Sequence, residues 1–446
     1  MKPFAVSPVS CLQGEISLPG DKSIAHRAVI LSALAQGKTR IENFPTNKDC
    51  LSTVNAFKRL GVKITLIRKK DAISTVKVSG AGLRGLKKPK GPVFIGESGT
   101  TFRLLLGVLA GQDFEARLLA GKSLSKRPML RVIDPLRRMG AEVYGIRTTV
   151  YGRRDEYPPI TIKGGKLKPI TYKVPVASAQ VKSAILLAGL YASGATQVFE
   201  PIKTRDHTER MLGLFKARLK VKGNIIVMKG GKELVPLKKI YVPGDISSAA
   251  FFIVLGTIAK NSRILIRNVS LNPTRAGILK VLERMGALIK IKNQKSKIKN
   301  GFPMGDILVK TSSLKGAFVS RREIPSLIDE LPILMVAASL AQGRTVFEGV
   351  GELRVKETDR IKSMTQNLKK MGAKIEVIKV GNSENIVIHG VRQLKGAKVK
   401  SFGDHRTAMS MVVAGLVASR ATLIDDISCI NKSFPDFTTI LSSLMH

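Results

Sequence analysis

Six short clusters of small, polar or charged residues carry the chemistry this chain could do: Asp21-Lys22-Ser23, Glu97-Ser98-Gly99-Thr100, Ser178-Ala179-Gln180, Asp245-Ile246-Ser247-Ser248, Asp329-Glu330 and Asp404-His405-Arg406. A helix N-terminus presents unpaired backbone N–H groups and a partial positive charge, so it favours anions. Any one cluster alone would be no more than an N-cap. Six of them at one position of a repeating pattern, three with Lys22, Arg103 or Arg406 within a turn, describe a trap for small anionic molecules. Carboxylate and phosphate groups are best held by the planar, bidentate guanidinium of arginine, with lysine acting as a point charge.

The elements that must position these clusters repeat along the sequence. One phrase recurs as Arg59-Leu60-Gly61-Val62, Arg138-Met139-Gly140-Ala141, Arg284-Met285-Gly286-Ala287 and Lys370-Met371-Gly372-Ala373, with a degenerate copy at Phe215-Lys216-Ala217-Arg218. Counting Lys216 in the glycine position, the spacings are 79, 76, 70 and 86 residues, so about six copies fill the chain. Each phrase closes an amphipathic helix, the glycine being its C-terminal stop, and hands over to a short strand such as Ala287 to Ile291. Upstream of each phrase lies a helix apolar on nearly every side, as in Thr101 to Ala110, Ala184 to Ala192, Ala249 to Ile258, Leu331 to Leu340 and Ala408 to Ala418. Such a helix belongs in a core. The unit is therefore α/β, with one buried helix, one amphipathic helix and several short strands.

The halves of the chain also match, because Leu18-Pro19-Gly20-Asp21 before one helix recurs as Val242-Pro243-Gly244-Asp245 before another. A Pro-Gly pair is a natural chain reversal. Length beyond what one core supports points to two domains. Placing the crossings at these pairs predicts one domain over 20–243 and a second built from 1–19 plus 244–446, each of three units. The N-terminal Phe4 to Leu18 segment then completes the second domain.

The motifs around these clusters resemble those of a known family. Pro19-Gly20-Asp21-Lys22-Ser23 with His26-Arg27, Ser98-Gly99-Thr100 with Arg103, Arg127-Pro128-Met129 and Arg205-Asp206-His207-Thr208-Glu209 come first. Pro243-Gly244-Asp245, Asp329-Glu330-Leu331-Pro332, Arg354-Val355-Lys356-Glu357-Thr358-Asp359-Arg360, Gly403-Asp404-His405-Arg406 and Lys432-Ser433-Phe434-Pro435-Asp436 follow. In this order, end to end, they resemble the 5-enolpyruvylshikimate-3-phosphate synthases, which move the enolpyruvyl group of phosphoenolpyruvate onto the 5-hydroxyl of shikimate 3-phosphate and release phosphate. The resemblance implies an inverse α/β barrel fold, two similar domains of three β-α-β-α-β-β units with a cleft that closes on substrate. It implies that Lys22, Ser23, Arg27, Ser178, Gln180, Arg205, Asp329 and Lys356 hold shikimate 3-phosphate. Phosphoenolpyruvate falls to Lys22, Gly99, Arg127, Gln180, Arg360, Arg406 and Lys432. By the same resemblance Asp329 is expected to take the hydroxyl proton, with Glu357 and Lys22 serving proton transfer at the methylene carbon. The bare alternatives are an N-cap for Asp329 and an ion pair with Arg360 for Glu357. The family also implies a monomer and glyphosate as an inhibitor.

Two positions depart from the family pattern: Glu97 stands where asparagine is usual, and Ala179 where many members have a second serine. An ionised Glu97 about 5 Å from phosphoenolpyruvate would repel it by roughly 3 kcal/mol at an effective dielectric of 20. The expectation is a neutralising partner for Glu97, Lys22 or Arg127, or partial protonation; the alternative is that Glu97 turns away from the site and only caps its helix.

Other readings fall away on the residues. The sister enzyme acting on UDP-N-acetylglucosamine has a Lys-Asn pair where Lys22-Ser23 stands, and a cysteine within the loop matching Arg117 to Arg127, which has none. The net charge of +43 is far more than two small substrates need. Its runs, Arg68-Lys69-Lys70, Lys87-Lys88-Pro89-Lys90 and Lys290 to Lys299, lack interleaved aromatics and read as solvated loops rather than a nucleic-acid surface. An RNA-end-processing protein of similar repeats would need a nucleophilic histidine near the C-terminus, where only His405 and His446 occur. No long unpunctuated apolar run and no signal sequence are seen, which predicts a cytoplasmic protein without a membrane partner. Cys11, Cys50 and Cys429 are too dispersed for a metal or disulfide framework. With no metal constellation and no nucleotide-binding glycine loop, no cofactor is expected.

Overall fold

The computed structural model describes residues 3–69, 72–150, 153–295, 302–381 and 383–445. Lys70, the basic stretch past Lys295 and His446 lie outside the described residues. The chain divides into two compact units, one over Gly20–Val242 and the other joining the segment before Gly20 to the chain from Pro243 onward.

Among the described residues the Gly20–Val242 unit holds three four-stranded sheets, each with the same pattern of one parallel and two antiparallel pairings. In the clearest, a short edge strand Val93–Phe94 runs parallel to Glu115–Leu119, which pairs antiparallel with Arg153–Lys163, itself antiparallel to Glu142–Val150. With the helices Gly99–Leu109 and Leu130–Arg138 between the strands, this is one β-α-β-α-β-β repeat. A parallel pair needs a crossover, and the buried helix provides it. The other unit contains two four-stranded sheets and one of three strands. Its first sheet takes its parallel edge strand from the N-terminal segment, Gln13–Ser17 alongside Arg263–Ser270. Its last takes Phe4–Val6, antiparallel to Thr422–Ile424. The closing helix Phe437–Ser442 is followed by no strand among the described residues, so the chain's start supplies the missing edge.

Six helices fill the cores: Lys22–Leu34, Gly99–Leu109 and Ala179–Gly189 in one unit, Ile246–Ile258, Leu331–Ser339 and His405–Leu416 in the other. Nearly every residue in each is buried, including the polar His26, Arg27, Lys182 and Arg406. Truncating one such leucine or isoleucine to alanine costs about 2–5 kcal/mol. Five begin on a side-chain cap: Asp21, Ser98, Ser178, Asp245 and Asp404 accept backbone N–H groups two or three residues on. The helix Leu331–Ser339 has no such cap, which leaves the carboxylates of Asp329 and Glu330 for other partners.

The recurring phrase has a definite geometry. After Lys48–Arg59, the N–H of Gly61 donates to Lys58 and that of Val62 to Phe57. The same pair of bonds recurs at Gly140 and Ala141, Gly286 and Ala287, and Gly372 and Ala373. This is the Schellman closure, and it needs a left-handed residue. Gly61, Gly140, Gly286 and Gly372 have φ between 87° and 104°. The degenerate copy keeps the motif with a lysine, Lys216 at φ 59°, at the steric cost of a side chain in that region.

Candidate active site

In the Gly20–Val242 unit the cap by Asp21 starts the first buried helix so that Ser23 and Arg27, four residues apart, share a face. Arg27 is buried and spends its guanidinium on three oxygens: Nη1 donates to the Ser23 carbonyl (3.0 Å), Nε to Thr208 Oγ1 (2.6 Å) and Nη2 to Ser183 Oγ (2.9 Å). Burial, and then the nearby Arg205, pull its pKa down to about 10, which leaves it a cation at neutral pH. Arg205 reaches the other way, with Nη1 3.5 Å from Ser23 Oγ. Lys22 pairs with Asp49 at 2.8 Å.

The second and third buried helices meet at their starts. Gln180 accepts from Arg103 Nη1 at 2.5 Å and donates to Thr100 Oγ1 at 2.9 Å. Ser178 caps its helix through the Val181 N–H. Arg127 follows the turn Leu124–Lys126, and its Nη1 lies 2.9 Å from where a Cβ on Gly99 would stand. Behind this surface Lys182 is buried between Glu200 (2.9 Å) and Glu209 (2.6 Å), and burial raises the pKa of Glu209 against the opposing pull of Lys182. His26 is also buried, its Nδ1 2.6 Å from Thr53 Oγ1.

The other unit gathers a denser set of charges. Arg360 is buried, with Nε on Asp404 (3.0 Å), Nη2 on Glu357 (2.6 Å) and Nη1 3.5 Å from Asp329. Burial alone would lower its pKa, but Asp404, Glu357 and Asp329 together raise it. Burial would raise the pKa of Asp404, and Arg360 instead holds it below the ordinary aspartate value. Asp329 stands among three cations: Arg360, Arg275 at 3.6 Å and Lys356 at 3.8 Å. Arg406 donates through Nη1 to the Asp329 backbone carbonyl at 2.6 Å and lies 3.4 Å from Glu330. Lys432 is half-buried at the end of the turn Ser428–Lys432, and Phe434 anchors that turn by packing edge-on against Phe252 and Phe437.

The structure thus brings Lys22, Ser23, Arg27 and Arg205 together, then Gly99 with Arg127, and Asp329 with Lys356, Glu357, Arg360 and Arg406. Asp329 is not an N-cap, while Glu357 does form the ion pair with Arg360. Arg103, one of the charges near a helix start, belongs to these clusters, and so do Asp49 and Arg275, which the sequence reading misses. Asp49 reads from sequence as a first-turn acid on an amphipathic helix, and Arg275 as a basic residue in a turn. The expected pairing of Glu97 with Lys22 or Arg127 is not found. Its two carboxylate oxygens accept the backbone N–H groups of Ser123 (3.2 Å) and Leu124 (2.8 Å). Gly121 has no Cβ, and one there would stand 2.4 Å from Glu97 Oε1, so only glycine lets the carboxylate through.

Residues 6–441 match the family model for EPSP synthase (3-phosphoshikimate 1-carboxyvinyltransferase). The chain belongs to the EPSP synthase family. A relative from Petrotoga mobilis, named 3-phosphoshikimate 1-carboxyvinyltransferase, is 47% identical over 441 residues, 98% of each chain. One of the same name from Citrifermentans bemidjiense is 47% identical over 445 residues and covers all of both chains. Among solved structures, an EPSP synthase from Acinetobacter baumannii superposes with a TM-score of 0.84 at 41% identity, over 100% of this chain and 98% of that one. The enolpyruvyl transferase NikO from Streptomyces tendae shares the fold at 16% identity, with a TM-score of 0.74 over 99% of this chain and 97% of its own. Both bear out the family's two-domain inverse α/β fold.

Proposed function

We propose that Asp329 is the general base of an enolpyruvyl transfer. The family's chemistry is transfer of the enolpyruvyl group of phosphoenolpyruvate to the 5-hydroxyl of shikimate 3-phosphate, and this chain performs it. The hydroxyl oxygen bonds to C2 of phosphoenolpyruvate while C3 gains a proton, giving a tetrahedral intermediate. Loss of a proton from C3 then forms the new double bond as the C2–O bond to phosphate breaks. The chain supplies proton acceptors, proton donors and anion contacts for these steps.

Asp329 takes the hydroxyl proton. Glu357, exposed beside Arg360, and Lys22, half-buried beside Asp49, carry the proton at C3. Shikimate 3-phosphate is held by Lys22, Ser23, Arg27, Ser178, Gln180, Arg205, Asp329 and Lys356. The phosphoenolpyruvate clamp is Lys22, Gly99, Arg127, Gln180, Arg360, Arg406 and Lys432. Glyphosate occupies the phosphoenolpyruvate position as an inhibitor, and the protein works as a cytoplasmic monomer. No helix among the described residues is long and apolar enough to cross a membrane.

The observation that carries this reading is the placement of Asp329: left out of its helix cap, half-buried, and flanked by Arg275, Lys356 and Arg360, which stabilise negative charge on it. Asp329→Asn removes the proton acceptor and keeps the shape. The expected result is a fall in kcat of about 10²-fold or more with shikimate 3-phosphate binding nearly intact. A wild-type kcat in a folded Asp329→Asn protein removes Asp329 from the chemistry.

A further inference from the structure

Arg275 is given no substrate contact in the reaction laid out above, yet its side chain is 3% exposed and lies against the carboxylates of Asp329 and Glu330. Its guanidinium forks onto Glu330, Nη1 to one oxygen and Nη2 to the other at 2.8 Å, and Nη2 also donates to Ser247 Oγ. Nη2 is 3.6 Å from the Asp329 carboxylate. Glu330 is fully buried, and the oxygen that takes Arg275 Nη2 is the one 3.4 Å from Arg406 Nη1. Arg406 Nη1 in turn binds the Asp329 carbonyl. The four residues close a ring through Arg275, Glu330, Arg406 and Asp329.

Buried ion pairs contribute little net stability, because desolvation of both charges offsets their attraction. What a closed ring with a bidentate fork supplies is fixed orientation. We infer that Arg275 is a positioning residue: through Glu330 it aims the Arg406 guanidinium at phosphoenolpyruvate, and beside Asp329 it fixes the base. The inference rests on the roles given above to Asp329 and Arg406.

Lysine cannot reproduce the fork. In Arg275→Lys the KM for phosphoenolpyruvate rises about tenfold, since small misplacements of a clamp are costly, while the KM for shikimate 3-phosphate changes less than about twofold. Arg275→Met removes the charge as well. Asp329 then keeps Lys356 and Arg360 as facing cations, with Arg406 on its carbonyl, Glu330 beside it, and Glu357, Asp404 and His405 around Arg360. The KM for phosphoenolpyruvate rises there at least as far as in Arg275→Lys, and that for shikimate 3-phosphate again changes less than about twofold. The double variant Arg275→Met/Glu330→Gln leaves no unpaired charge from this pair and folds where the single change does not. It still shows the raised KM for phosphoenolpyruvate, because Arg406 has lost its ionised partner. A purely structural role would lower Tm and leave both KM values of the folded protein untouched. Wild-type KM for phosphoenolpyruvate in any folded variant lacking the Arg275 charge overturns the inference. Asp329→Asn separates the two layers: wild-type kcat there sinks the base assignment, and the inference with it, whatever the Arg275 variants do.

Discussion

The Arg127 guanidinium occupies the space a side chain on Gly99 would need, its Nη1 2.9 Å from the ideal Cβ position. Gly99→Ala therefore leaves the backbone alone and displaces the far end of a flexible side chain. The KM for phosphoenolpyruvate rises about tenfold, kcat/KM falls with it, and stability changes by less than about 1 kcal/mol. An unchanged KM in steady-state kinetics would mean that Arg127 is not part of the clamp.

Glu97 provides a test in which two readings differ in sign. A carboxylate facing phosphoenolpyruvate would repel it, so Glu97→Asn would tighten binding. As a cap on Ser123 and Leu124, Glu97 instead steadies the turn that presents Arg127. Asparagine, one methylene shorter, cannot reach both N–H groups. The KM for phosphoenolpyruvate in Glu97→Asn should rise about fivefold, equivalent to about 1 kcal/mol and less than a lost pair of charge-assisted bonds could cost. A lower KM would show that the carboxylate acts on the substrate.

His26 links stability to pH. Burial, with Lys22 and Arg27 adding to it against Asp49, takes its pKa down to about 3. Below the ordinary histidine value the unfolded chain binds a proton that the folded one does not, so stability is lost as pH falls from about 6.5 toward 3. Between pH 7 and pH 5 the difference in unfolding free energy between wild type and His26→Gln should shift by about 2 kcal/mol in favour of the variant. Urea titrations at the two pH values measure it. A pH-independent difference would mean that His26 titrates in the native state.

Much of the fold is legible because it is local. Arg59-Leu60-Gly61-Val62 and its copies announce their helix ends through one backbone requirement, and the structure meets it even where Lys216 replaces the glycine. The buried helices are equally plain, since a stretch such as Ala249 to Ile258 has no polar face to expose. The clustered charges are less so. Asp49 pairs with Lys22 across 27 residues, and Arg275 pairs with Glu330 across 55, so their partners exist only once separate elements have packed. Glu97 shows the limit most clearly. Its identity flags the position, but its direction depends on the missing side chain of Gly121, 24 residues on in the sequence.

The most direct test of the whole reading is phosphate release followed in a coupled assay with phosphoenolpyruvate and shikimate 3-phosphate supplied together and singly. The expected result is one phosphate for each phosphoenolpyruvate consumed, only when both are present, and none when UDP-N-acetylglucosamine replaces shikimate 3-phosphate. Folded protein that releases no phosphate from the pair, or releases it from phosphoenolpyruvate alone, would contradict it.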